Sequence, residues 1–147
     1  MSAHEPPPGV NAPPGRFEHL SRSECLELLA VKQVGRVAYC AASGPVVLPV
    51  NYTVRDQSII FRTAAGSTLA QFMKDQPAAF QVDEIDGFLQ AGWSVLVAGT
   101  AHWVVDTEDL SDLWWDQHQP EPWAVGERNA FVRIVPSTIT GRRVHPS

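Results

Sequence analysis

VVLPVNYTVRDQSIIFRTAAGSTLAQFM, residues 46 to 73, decides the fold. From Val46 to Val54 the chain alternates, with Val46, Leu48, Val50, Tyr52 and Val54 on one face and Val47, Pro49, Asn51 and Thr53 on the other. That is the period of a strand with one buried side, and the first set is the expected core face. With Asp56 and Gln57 as a two-residue loop, Arg55 pairs with Ser58, and counting back sets Asn51 opposite Arg62 on the non-core face. Gly66, Ser67 and Thr68 then precede Leu69, Ala70, Phe72 and Met73, whose spacing suits a short amphipathic helix with Ser67 as its N-cap. A helix start offers unpaired N–H groups and partial positive charge. An anion fits there, with Arg62 as a bidentate partner and the Ser67 and Thr68 hydroxyls as neutral donors. An ordinary hairpin followed by a capped helix uses the same residues and, taken alone, is the commoner occurrence.

Further stretches extend the pattern in order: VGRVAYC at 34 to 40, LPVNYTV at 48 to 54, IIFRTAAGSTL at 59 to 69, AAFQVDEID at 78 to 86, GWSVLVAGTA at 92 to 101 and VRIVPSTITGRRV at 132 to 144. Together these motifs resemble the pyridoxamine 5′-phosphate oxidase-like family of FMN-binding split barrels, in particular its small actinobacterial-type members, over residues 17 to 144. The resemblance implies a mainly β chain with short helices, folded as a six-stranded antiparallel split β-barrel. It also implies a homodimer that holds FMN at the subunit interface. The flavin ring would lie against Pro49, Val50 and Asn51, and the phosphate near Arg62, Thr63, Ser67 and Thr68. The implied activity is that of an FMN-dependent oxidoreductase with an unidentified small-molecule substrate.

Family members commonly carry a lysine where Thr68 stands. Thr68 donates a hydrogen bond but no charge, and exchanging a charge-assisted bond for a neutral one loses on the order of 1 kcal/mol or more. A weaker hold on FMN, or another cofactor, is therefore expected. The other local cations are Arg62, Lys74 and the tail residues Arg142 and Arg143, which reach the site only if the tail folds back or comes from a partner subunit. A reductase using the deazaflavin F420 is the second reading, because the anionic tail of F420 calls for a more basic groove than two lysines suggest. A non-enzymatic barrel that carries flavin or haem, or has lost its cofactor, is the third. Pyridoxamine phosphate oxidation itself is not expected, since the chain is short and shows no second phosphate site.

Length and charge bound the remaining choices. At 147 residues the chain fits one domain. Its net charge of −5 and its lack of a basic run exclude a nucleic-acid partner. No apolar run reaches the roughly 20 residues that span a bilayer, and the N-terminus lacks a signal pattern. A cytoplasmic protein with no membrane partner is expected. Cys25 and Cys40, without metal-ligand spacing, read as buried reduced thiols. Asn51-Tyr52-Thr53 matches a glycosylation sequon but lies within a strand.

Residues 1 to 16, with five prolines in the first fourteen, read as a disordered arm ahead of a single domain at 17 to 147. Ser21 and Glu24 form a capping box for a helix that runs to Lys32 and is ended by Gly35. Strands are predicted at 35 to 41, 46 to 55, 58 to 63, 78 to 84, 92 to 105, 128 to 135 and 138 to 144. Short helices are predicted at 68 to 74, where Pro77 forces the stop, and at 107 to 117, followed by a loop at 119 to 126. Gly99 marks a bend.

Trp93, beside Gly92 at a strand start, suits either the cofactor ring site or the core. Trp114, Trp115 and Trp123 suit packing against a dimer mate. His102 and His118 have no carboxylate at a matched spacing, so neither is expected to be catalytic. Asp83, Glu84 and Asp86 lack a calcium-loop pattern and read as a solvated turn, and no metal is expected. Arg142 matches the family's terminal motif and joins Trp93 among the cofactor-binding candidates. Hydrolytic and nucleoside-triphosphate motifs are absent, so any chemistry belongs to a cofactor.

Overall fold

Asp56 and Gln57 adopt φ of 49° and 61°, the left-handed pair that a type I′ turn requires. They join β3 (Gly44–Arg55) to β4 (Ser58–Ala64). The register is the one this loop dictates, with Arg55 opposite Ser58 and Tyr52 opposite Phe61. The computed structural model describes residues 16–115 and 129–146. The expectations for the N-terminal arm up to residue 15, for His118 and Trp123, and for the loop at 119–126 lie outside the described residues.

Around the hairpin the described elements run β1 (Phe17–His19), α1 (Arg22–Val31), β2 (Val34–Ala41), β3, β4, α2 (Thr68–Gln71), β5 (Gln76–Asp86), β6 (Ala91–Trp103), α3 (Thr107–Trp115) and β7 (Asn129–Val144). Every pairing is antiparallel. β7 bonds to β4 along one edge and to β6 along the other, which closes β7-β4-β3-β2-β5-β6 into a ring of six strands, with β1 added beside β7. The chain is therefore a six-stranded antiparallel split barrel with short helices.

Inward residues from all six strands fill the ring, among them Val37, Tyr52, Ile59, Phe61, Phe80, Val82, Val95, Val97 and Ile134. Each fully buried apolar side chain of this size contributes about 1.5–3 kcal/mol. Two helices pack at opposite ends of β6. α1 places Cys25 and Leu29 in the core, with the Tyr52 hydroxyl donating to the Leu29 carbonyl. α2 brings in Leu69 and Met73, and Trp103 Nε1 donates to the Ala70 carbonyl at 2.8 Å. Burial holds the Tyr52 phenol well above its ordinary pKa, so it stays a donor. α1 begins on the capping box seen in the sequence. Ser21 Oγ accepts from the Glu24 N–H and Glu24 Oε1 accepts from the Ser21 N–H, both at 3.1 Å.

Several expectations are corrected. The segments predicted as strands at 128 to 135 and 138 to 144 are one strand, β7, kept continuous by a bulge where Gly99 faces Pro136 and Ala98 faces Thr138. Proline has no N–H for the ladder, so a bulge beside Pro136 costs little pairing. Gly99 also leaves room for the Val135 carbonyl. Gly35 does not end the first helix, which stops at Val31 with Lys32 extended; it lies in β2, and the Phe80 ring occupies the space its Cβ would take. α2 ends at Gln71 rather than residue 74, and Asp75 turns the chain with φ of 56°. Pro77 lies inside β5. Leu48, expected in the core, is 37% exposed. Cys40 is exposed, and only Cys25 is buried.

Two outcomes follow for stability. Tyr52→Phe leaves the buried Leu29 carbonyl without its donor and should lower the unfolding free energy by about 1–3 kcal/mol in urea denaturation. Glu24 is held below the usual carboxylate range, first by the Ser21 N–H and then by the Ser21 hydroxyl. Its contribution is therefore present above its unfolded pKa and lost as pH falls through its folded pKa. The stability gap between the parent and Glu24→Ala should accordingly close on acidification.

Candidate functional site

β3 and β4 are bonded to each other only from the turn to Tyr52 and Phe61. Beyond that point β3 follows β2, with Asn51 opposite Val34 and Pro49 opposite Arg36. β4 instead follows β7, with Arg62 opposite Phe131 and Thr63 opposite Ala130. Asn51 and Arg62, next in register, flank the place where the strands part. This is the split in the barrel wall.

Alternation sets Pro49, Asn51 and Arg62 on the outer face. Val50 is 7% exposed and points into the core, so it offers a ligand only its backbone. Arg62 is half-buried, with its guanidinium carbon 5.3 Å from the centre of the Phe131 ring, within cation–π range. Thr63 and Ser67 are on the other side of β4. Their hydroxyl oxygens are 3.1 Å apart, and Ser67 Oγ also accepts from the Ala70 N–H at 3.1 Å. Ser67 is the N-cap foreseen in the sequence, but its oxygen is committed to that task. Thr68 is exposed at the start of a helix of four residues, too short to carry much of a dipole. The cluster of Arg62, Thr63, Ser67 and Thr68 is thus divided between two faces.

Trp93 and Arg142 belong to a second place. With Phe17, Gln81, Asp83 and Ser94 they line a groove of about 490 Å³ on β5, β6 and β7. The Arg142 guanidinium carbon is 5.7 Å from the Phe17 ring centre. Trp93 packs on the edge of the core, with Lys32 Nζ 6.0 Å from its ring, so both roles weighed for it are compatible. Arg142 and the Phe131 that faces Arg62 are separated by most of β7, on the order of 35 Å of extended strand. Arg143 alternates to the opposite face, across from Trp93. Across β2, however, the groove comes near the split, because Gln81 faces Arg36 and Arg36 faces Pro49.

Two features escaped sequence reasoning. His102 does have a carboxylate, because its Nδ1 lies 2.5 Å from Asp75 Oδ1. The two are 27 residues apart, and only the packing of the α2–β5 junction on β6 brings them together. Arg133 stands between His102 on β6 and Ile60 on β4, and its Nε is buried without a hydrogen-bond partner among the described residues. Alternation with Phe131 was the one signal for it, and that signal means nothing until β4 is known to pair with β7.

The acidic cluster serves local ends. Asp83 approaches Arg36 at 3.7 Å and accepts from Gln81 at 2.7 Å. Glu84 is 3.2 Å from Lys32, and Asp86 accepts from the Phe88 and Leu89 N–H groups at 3.0 Å. Among the described residues no group of three or more metal-ligating side chains converges, and no helix is long and apolar enough to cross a membrane. Burial raises the Cys25 thiol pKa, which makes it a packing residue. Because Ser67 Oγ caps α2, Ser67→Ala should cost about 0.5–2 kcal/mol of stability, read from the shift in urea midpoint.

Comparison with known proteins assigns the family. An uncharacterised Mycobacterium tuberculosis protein, Rv0080, is 32% identical over 130 residues, covering 85% of this chain and 84% of that protein. The structure of an FAD-binding protein from Mycobacterium smegmatis superposes with a TM-score of 0.72 at 31% identity, covering 86% of this chain and 98% of the other. A pyridoxamine 5′-phosphate oxidase candidate from Corynebacterium glutamicum gives a TM-score of 0.75 at 31% identity, with coverage of 92% and 97%. The profile of the pyridoxamine 5′-phosphate oxidase family matches residues 21–143. With the split, the closed ring and the motif order in agreement, this chain belongs to the pyridoxamine 5′-phosphate oxidase-like family of split barrels.

Proposed function

We propose that this chain is a flavin-dependent oxidoreductase that works as a homodimer on a small-molecule substrate. Its flavin phosphate lies on the outer face at Arg62, and the ring follows Pro49, the Val50 backbone and Asn51. The observation that carries this reading is the opening of the barrel wall on its outer face. Asn51 and Arg62 flank a split on the outer face, and the groove lies on the same face across β2, since Gln81 faces Arg36 and Arg36 faces Pro49. A two-fold pairing of outer faces would cover the split and the groove together.

The uncovered part of that face suits such a pairing. Val47, Ala38, Ala79 and Ala98 follow one another across β3, β2, β5 and β6, a low row against which a second sheet packs closely. Val34, Val47 and Leu96 on the same face are 44%, 59% and 46% exposed, more apolar surface than a lone chain usually leaves in one place. On the far side α3 covers Ile60 and Phe131 through Leu110, so among the described residues the uncovered surface is the arc from β3 to β6.

The residues at the split fit a flavin. Arg62 supplies a positive fork for a phosphate, and Pro49 and Asn51 supply a flat, exposed strand edge for a ring. When bound, the flavin supplies hydride chemistry. The protein's part is to fix the ring, exclude water from one side and leave the other open to substrate. The FAD-binding relative from Mycobacterium smegmatis supports a flavin, and FMN, which ends in one phosphate, is the form this reading assigns.

Fluorescence-quench titration with FMN, FAD and F420 tests the reading. FMN should bind and be reduced by a nicotinamide donor, Arg62→Ala should abolish FMN binding, and Thr68→Lys should tighten it by about tenfold. F420 binding alone would instead favour a deazaflavin reductase, and flavin binding without turnover would mark a carrier. Shared sites have their own signature: Arg62→Ala and Arg142→Ala, each defective alone, should recover part of the FMN binding when mixed as heterodimers.

A further inference from the structure

The turn from β5 to β6 carries three large apolar side chains into solvent. Phe88 is 95% exposed, Ile85 70% and Leu89 54%. The turn is held by its own hydrogen bonds: Asp86 Oδ1 accepts from the N–H groups of both Phe88 and Leu89 at 3.0 Å, and Gln90 closes it with φ of 52°. Phe88 is therefore presented on an ordered backbone, which lowers the entropy lost when such a ring is buried against a partner.

Ile85 and Gln90, which flank the exposed ring, also line the groove of about 490 Å³, together with Phe17, Val144 and Arg142. That volume lies in the range that seats a small ligand, so an aromatic ring fits. The chain's own Phe88 stays outside. A knob beside an apolar hole, both on one surface, is satisfied when two copies exchange knobs, because a two-fold contact uses the same patch on each. Charge agrees with that exchange. Asp86 forms no ion pair among the described residues, and neither does Arg142, since the groove's Asp83 is taken by Arg36 and Gln81 and the nearby Glu18 by His145. Area agrees as well. Ile85 alternates with Gln81 and Asp83 on the outer face, so the turn continues the apolar arc that carries Val34, Val47 and Leu96. With Phe17, Phe88, Leu89 and Val144 these exposed side chains offer several hundred Å², on the order of the ~800 Å² that each partner buries in a stable dimer.

We propose that Phe88 anchors the homodimer, entering the groove of a second copy of this chain while its own groove receives the partner's Phe88. The proposal rests on the homodimer of the preceding subsection and names the contact that holds it. Ile85 and Leu89 seal the rim, and Asp86 meets Arg142 across the interface and fixes the register. Arg142 then acts on the flavin site through the pairing that covers it.

Sedimentation equilibrium of the full-length parent, Phe88→Asp and Ser94→Trp tests this. The parent should be a dimer. Phe88→Asp should raise the dimer dissociation constant at least about thirtyfold, the loss expected for a buried aromatic anchor. Its circular dichroism should match the parent's, because the side chain it replaces has almost no contacts within the chain. Ser94→Trp, which fills the groove between Arg142 and Asp83, should weaken the dimer in the same way. If Phe88→Asp dimerises like the parent, the turn is not the anchor and the proposal falls while the homodimer stands. If only Ser94→Trp does so, Phe88 has another seat and its place in the groove is overturned. A parent that is monomeric throughout overturns both the homodimer and the proposal, and FMN titration still decides the flavin. Flotation of such a monomer with phosphatidylserine–phosphatidylcholine vesicles, lost in Phe88→Asp, would assign the turn to a lipid surface instead.

Discussion

The barrel depends on one strand serving two masters. β7 must bond β4 along the first part of one edge and β6 along the other edge for most of its length. Without both ladders the sheet is an open six-strand ribbon with two bare edges. Sixteen residues of extended chain that twist around a closed ring do not keep register unaided, and the bulge opposite Ala98 and Gly99 absorbs the mismatch. Gly99 permits it by leaving space for the Val135 carbonyl. Closure then gives Phe61, Phe80, Val97 and Ile134 a common interior.

Closure and opening are two sides of the same geometry. Because β4 loses β3 after Phe61 while it keeps β7 from Ile59 to Ala64, and β3 follows β2 from Asn51 back to Gly44, the wall parts where Asn51 and Arg62 stand. The same departure leaves Leu48 without β4 as a neighbour, which accounts for its exposure. A site placed at such a gap inherits polar backbone edges and an outward arginine from the fold. Its chemistry is therefore a matter of which side chains the neighbouring strands present.

Charge is distributed to the same effect. The chain carries a net −5, yet Arg36 and Lys32 are drawn to Asp83 and Glu84 on one arc of the barrel. Arg62 and Arg133 gather on another arc, beside the apolar cover that α3 provides. Strand pairing, and not composition, decides which arginines share a face.

Local patterns in the sequence determined the hairpin, its two-residue turn, the capping box at Ser21, the Ser67 cap and the alternation of β3, since each depends on residues close along the chain. The motif order carried the split barrel as a whole. What the tertiary structure decided is everything that requires distant strands to meet. Gly35 was read as a helix stop because the Phe80 ring it accommodates lies 45 positions away in sequence. The phosphate cluster looked contiguous from Arg62 to Thr68, but period-two alternation sends Arg62 and Thr63 to opposite faces. His102 looked isolated until the chain reversal at Asp75 supplied its carboxylate. Arg133 was invisible because its meaning depends on the β4–β7 register, a long-range pairing that no local pattern encodes.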